Sequence, residues 1–114
     1  CAVHENYKAR LLKAGDLDTI VTGRQLGHPV RSLRSPFSRA YAKAEQEGVC
    51  QEQLEVLGSG ALRKAVVDGD AEQGCFIAGQ CAGLVKEERP AAQSIATLCQ
   101  EAELLLKGAT QWVK

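Results

Sequence analysis

No methionine occurs in this sequence, and only five of its 114 residues are aromatic. With no methionine and a cysteine at position 1, the chain is expected to be a piece of a longer protein. So few aromatic rings (Tyr7, Phe37, Tyr41, Phe76, Trp112) leave the core to aliphatic and small side chains. Net charge is absent too: 14 basic residues balance 14 acidic ones. That balance gives no electrostatic reason for a nucleic-acid or anionic-membrane partner. No apolar run approaches the roughly 20 residues of a membrane span, and no stretch reads as a signal peptide. The five cysteines (Cys1, Cys50, Cys75, Cys81, Cys99) form no CxxC pair, and no histidine stands at a metal-ligand spacing from them. A zinc site or a disulfide framework is therefore not expected. Reduced, mostly buried thiols in a cytoplasmic protein are.

What is present is one domain's worth of chain, 45% hydrophobic and 25% charged, which is a globular composition. Glu5–Ala14 reads as a short helix with Tyr7, Leu11 and Ala14 on one stripe, followed by a turn at Asp16–Asp18. The β-branched run Thr19–Thr22 reads as a strand, and Val30–Leu33 as its partner in a loose hairpin. Ser35-Pro36 has the form of a helix start, Ser as cap and Pro in the first helical position, for a helix over Phe37–Glu47. Gln51–Leu57 is ambiguous between a short helix and none. Ala61–Val67 reads as a helix ending at Gly69. Asp70 and Gln73 have capping-box spacing and predict a further helix, starting at residue 71 or 75 and ending at Glu88. Ala91–Lys107 is the longest amphipathic helix, with Ile95, Leu98, Ala102 and Leu105 three or four apart. So many elements with so few large apolar residues imply a thin core that needs support from elsewhere.

Three features bear on chemistry. Gly58-Ser59-Gly60 precedes a helix as dinucleotide loops do, but Arg63 stands where a third glycine belongs, so a turn leading into a helix is the simpler reading. His4 and His28 stand at no catalytic spacing and read as exposed. Thr19–Ala44 carries Arg24, Arg31, Arg34, Arg39 and Lys43 with no acidic residue. This is either a docking patch for phosphate or carboxylate groups, or a solvated face paired with Glu45, Glu47, Glu52 and Glu55. From Gly74 to Val85 there is no formal charge, and seven residues are Gly, Ala or Cys. On a helix, Gly79 and Gly83 would make a smooth face for another backbone or a flat ligand. Gln80 would then have to find polar partners, because an unpaired buried amide costs about 1–3 kcal/mol. Packing and cofactor contact stand level on composition.

The segments HENYKARLLKAGDLDTIVTG, GHPVRSLRSPFSRAY, GSGALRKAVVDGDAEQG and AGQCAGLVKEERPA occur in an order and spacing that resemble the C-terminal part of a flavoenzyme family. This is the enoyl-[acyl-carrier-protein] reductase II family, related to nitronate monooxygenases (2-nitropropane dioxygenase-like). The resemblance covers nearly the whole chain, and GALRKAVVDGD followed by AGQCAGLVK is its most specific part. It implies an α/β fold: the C-terminal portion of a TIM barrel, with the present chain mostly α-helical plus a small β-hairpin. A whole barrel takes about 250 residues. Residues 1–15 would form a barrel-side helix, 16–57 a substrate-facing lobe and 58–114 closing helices. The implied activity is reduction of enoyl thioesters by NAD(P)H through FMN in fatty acid synthesis, with acyl carrier protein or an acyl thioester as partner and a homodimer left open. Nitronate monooxygenase is the alternative, and an inactive helical fragment or assembly module the third reading. Cys75, Ala78, Gly79 and Gln80 are the cofactor-binding candidates, and Arg24, Arg31 and Arg34 the partner-binding ones. No catalytic residue is expected, since the family's Gly-Gly-His has no counterpart: His4 follows Val3, and His28 follows Gly27 alone. Gly74-Cys75 stands where the family usually has Gly-Ser, and Phe76-Ile77 is bulkier than usual there.

Overall fold

The computed structural model describes residues 2–109, so Cys1 and Trp112, named above, lie outside the described residues. Helix α1 (Glu5–Lys13) is capped by His4, whose Nδ1 accepts the Asn6 backbone N–H at 3.1 Å. Glu5 in its first turn and Arg10 and Lys13 in its last suit the helix dipole. Strands β1 (Thr19–Thr22) and β2 (Val30–Leu33) pair antiparallel, Thr19 opposite Leu33 and Val21 opposite Arg31. Helix α2 (Pro36–Gln46) starts as expected, and its capping box is reciprocal. Ser38 N–H donates to Ser35 Oγ at 3.2 Å, and Ser35 N–H donates to Ser38 Oγ at 2.8 Å. The ambiguous segment is helical, as α3 (Gln51–Gly58). A short α4 (Ala61–Arg63) widens into a π turn over Lys64–Asp68. The final helix, α5 (Ala91–Gly108), forms where its periodicity placed it.

The expected helix between residue 71 and Glu88 does not form. Asp70 Oδ1 does accept the N–H groups of Glu72 and Gln73, at 2.8 and 2.9 Å. But Gly74 N–H returns to the Asp70 carbonyl at 3.0 Å, and the turn closes there. The chain then leaves extended and runs along the free edge of β2. Ser32 bridges Ile77, Leu33 N–H donates to the Phe76 carbonyl at 2.8 Å, and Ala78 N–H donates to the Arg31 carbonyl at 3.2 Å. A one-turn 3₁₀ segment, Gln80–Leu84, is all the helix this region keeps. Glycines weaken a helix by about 1 kcal/mol each, and here an unpaired strand edge and a pocket for Phe76 compete successfully against it. Gly79 and Gly83 therefore do not share a face of a long helix. Gly83 does permit close approach, but to this chain's own turn: a Cβ there would lie 2.6 Å from Asp16 Oδ1 and 2.9 Å from the Gly15 carbonyl carbon.

The core is split in two. One cluster holds Tyr7, Ala14, Leu33, Ala65, Phe76, Ala78 and Ala82; the other holds Phe37, Tyr41, Leu54 and Ala61. Consecutive residues join them: Phe76, with no exposed surface, lies in the first, while Cys75 packs against the second. Tyr7 and Phe76 rings meet at 5.2 Å, with the Arg10 guanidinium 4.8 Å from the Phe76 ring centre. Helix α5 buries none of its residues. The described residues extend over 56 × 35 × 19 Å with a radius of gyration of 18.1 Å, where a compact domain of this length would give about 13 Å.

Candidate functional site

The site candidates from the AGQ segment sit where the added edge strand ends. Ala78 is buried and tied to β2, whereas Gly79 and Gln80 stand exposed on the turn that follows. Ala82 N–H closes that turn on the Gly79 carbonyl at 3.1 Å. Gln80 is thus presented to solvent, and the burial cost foreseen for its amide does not arise. Space beside Gly79 is open: a Cβ there would meet only Cys81 Sγ, at 3.7 Å.

Cys75 is placed differently. Its half-buried side chain packs against the Phe37–Tyr41 cluster, and burial pushes its thiol up from the usual range, with nearby Ser32 opposing. The approach of the two groups does not have hydrogen-bond geometry. Ser32 Oγ is accordingly the buried side-chain oxygen without a partner among the described residues. Cys50, Cys81 and Cys99 are exposed, all four described cysteines are free thiols, and the expectation of mostly buried thiols is not met.

Tyr7 was legible only as a core residue, yet it positions this turn. Its hydroxyl donates to the Ile77 carbonyl at 2.6 Å, and burial first, then Cys75, raises its pKa. A tyrosine on a helix stripe gives no sequence signal for a contact 70 positions away.

The arginine candidates are separated in role. Arg31 Nη1 donates to Thr19 Oγ1 at 3.0 Å, and Arg34 Nε donates to the Leu17 carbonyl at 3.1 Å. Arg24 is exposed on the hairpin loop. Among the acidic residues proposed to balance the patch, Glu47 pairs with Lys43 at 3.6 Å, while Glu45 is buried and accepts the Gln25 backbone N–H at 3.4 Å.

An open groove of about 690 Å³ lies between α1 and the segment Leu84–Arg89, with Tyr7, Leu11, Val66, Leu84 and Val85 in its walls. Sequence reasoning missed it, because it forms only when the Leu84–Arg89 segment crosses α1. Lys8 holds that crossing: its Nζ lies 2.7 Å from Glu88 Oε1 and 2.9 Å from Glu5 Oε1. Glu88 raises the Lys8 pKa more than Glu5 does, and Lys8 lowers that of Glu88. Among the described residues no group of acidic, His or Cys side chains could hold a metal ion. No helix among them is long and apolar enough to cross a membrane.

Residues 1–101 match the nitronate monooxygenase family. The structure of FabK from Thermotoga maritima is 41% identical. It superposes with a TM-score of 0.90 over 97% of this chain and 35% of its own. The M276A mutant of FabK from the same organism matches at 37% identity and a TM-score of 0.79, covering 97% of this chain and 32% of its own. This chain thus spans about a third of the length of those structures. No curated protein matches it.

Proposed function

The chain belongs to the nitronate monooxygenase family of TIM-barrel flavoprotein oxidoreductases, and from that premise we propose that it forms the closing part of an FMN-dependent enoyl-ACP reductase. The observation that carries this choice is 41% identity over 97% of the chain to a FabK structure. In this reading residues 1–15 lie beside the barrel, 16–57 face the substrate and 58–114 close the site. FMN held there would supply the hydride chemistry between NAD(P)H and the double bond of an enoyl thioester, solvent or an acid completing the reduction with a proton, and the reaction belongs in the cytoplasm.

The chain's own residues fit a supporting part in that chemistry. Gly79 offers an open backbone surface on which a flat ring can rest, and Gln80 offers an exposed amide beside it. Ala78 anchors the turn to β2, and Tyr7 fixes it from beneath through the Ile77 carbonyl. Cys75 stands at the head of the same extended segment, packed against the second cluster, where a thiol bonds more weakly than the hydroxyl usual in the family. Arg24, Arg31 and Arg34 are the residues we assign to an acidic carrier protein or a nucleotide phosphate. Arg24 is the freest to serve, since the other two already donate within the hairpin.

Two measurements test this. The complete enzyme that carries this chain should reduce crotonyl thioester with NAD(P)H. Turnover of propionate-3-nitronate with oxygen, and none of crotonyl thioester, would instead establish the monooxygenase reading. The 114-residue chain by itself should not bind FMN tightly, because the described residues offer the flavin one exposed turn, and Gly58-Ser59-Gly60 lacks the third glycine of a phosphate loop. A tight complex seen by quenching of flavin fluorescence would overturn that assignment of parts.

A further inference from the structure

Gly79, Gln80 and Cys81 are exposed, whereas Ala78 before them and Ala82 and Gly83 after them are buried. The exposed turn is short and anchored at both ends. Its entry is held by two hydrogen bonds. Ala78 N–H donates to the Arg31 carbonyl at 3.2 Å, and the Tyr7 hydroxyl donates to the preceding Ile77 carbonyl at 2.6 Å. Its exit is held by packing. Ala82 joins the cluster that contains Tyr7 and Ala14, and Gly83 seats on the Gly15–Asp16 turn. A Cβ on Gly83 would lie 2.9 Å from the Gly15 carbonyl carbon and 3.0 Å from the Asp16 backbone nitrogen. Tyr7 stands in the first turn of α1, and Gly15 directly follows the C-cap of the same helix, Ala14. One helix thus reaches both ends of the exposed turn.

We infer that Tyr7 is a positioning residue for the flavin: through the Ile77 carbonyl it fixes where the Gly79 backbone and the Gln80 amide stand against the cofactor. A turn with a glycine and a long amide side chain has much conformational freedom to lose on binding. Fixing its entry before the cofactor arrives lowers that cost. Tyr7 is the lever because its two parts are separable. The ring fills the first cluster against Phe76, while the hydroxyl alone reaches the main chain one residue before Ala78. The inference rests on the reading that this turn touches FMN, and it is independent of whether an enoyl thioester or oxygen accepts the electrons.

The test titrates FMN into the apo form of the complete enzyme that carries this chain, reading the dissociation constant by flavin fluorescence and the absorbance of the bound flavin. Gln80→Ala removes the contact itself and should weaken binding about tenfold. Tyr7→Phe keeps the ring; it should weaken binding about three- to tenfold and shift the bound flavin's absorbance. Leu11→Ala alters a neighbour on the same helix, packed against the same cluster. It should lower the melting temperature and leave both flavin readouts as in the unmodified enzyme. In the Gln80→Ala background, Tyr7→Phe should weaken binding by less than it does alone, because it acts through that amide. Equal flavin effects of Tyr7→Phe and Leu11→Ala, or full additivity of Tyr7→Phe with Gln80→Ala, would reduce Tyr7 to a structural role and overturn the inference. So would unaltered binding and absorbance in Tyr7→Phe while Gln80→Ala binds weakly, a result that leaves the cofactor reading of the turn intact. Unaltered binding in Gln80→Ala removes that reading, and the inference with it.

Discussion

Tyr7 of α1 donates its hydroxyl hydrogen to the Ile77 carbonyl oxygen at 2.6 Å, tying the first helix to the strand edge that ends in the Ala78–Gln80 turn. The same ring stacks at a tilt on Phe76, so one side chain both fills the first core cluster and fixes the exposed turn beside it.

Tyr7→Phe keeps the ring and leaves the Ile77 carbonyl without its donor. It should cost about 1 kcal/mol, the net worth of one such bond, read as a lower midpoint in urea with an unchanged slope. Tyr7→Ala removes the ring contact as well and should cost about 3–5 kcal/mol. If Phe and Ala at this position cost the same, the hydroxyl bond carries the effect and the packing argument fails.

Gly69 has a φ of +63° and lies so close to the His4 ring that a Cβ would overlap it. Gly69→Ala therefore strains the backbone by about 1–2 kcal/mol and displaces the ring that caps α1, a cap worth about 0.5–2 kcal/mol. His4→Ala loses the cap alone. In the double variant the overlap has no partner, so its loss of stability should be smaller than the two single losses added. Strict additivity in that cycle would show that the ring and the glycine do not interact.

The Lys8–Glu88 pair should make closure of the Leu84–Arg89 segment depend on pH. The Glu88 carboxyl is held below its ordinary value by Lys8, so its contribution is complete above the unfolded carboxylate pKa of about 4.3. It disappears as pH falls through the lower folded value. Lys8 is raised, so its contribution is complete below the unfolded lysine pKa near 10.4 and disappears as pH rises through the folded one. Amide protection in this segment, measured against the intrinsic exchange rate at each pH, should fall at both ends of that window, and also in high salt, because the pair is exposed. Glu88→Gln should remove the acid limb; an unchanged profile would exclude the pair as the cause.

Alkylation should separate the cysteines. Thiolate is the reactive form, and burial raises the Cys75 thiol, whereas Cys50, Cys81 and Cys99 are exposed. Iodoacetamide near neutral pH should label those three first, with Cys75 following on unfolding. Peptide mass spectra with Cys75 labelled at the same rate would contradict its packing against the second cluster.

Much of this architecture is written in local signals. Ser35-Pro36 starts α2, the β-branched run forms β1, and the spacing of Ile95, Leu98 and Leu105 forms α5, each because the cause lies within a few residues of the effect. The site was legible in part. Gly79 and Gln80 were picked out by composition and family resemblance, but on a helix that is not there. Tyr7, Lys8 and Glu88 went unrecognised because their partners are distant in sequence.

The sequence by itself therefore determined most of the elements, the Ser35 cap of α2 and the family to which the chain belongs. Tertiary structure alone decided residues 74–78. Capping chemistry at Asp70 was compatible with a helix, but Gly74 closed the turn, and the open edge of β2 offered Phe76–Ala78 paired backbone and a buried place for one aromatic ring. Hydrogen bonds to a strand some 45 positions earlier are invisible to local propensity. Those bonds, with Tyr7 beneath them, bring Gly79 and Gln80 to the surface.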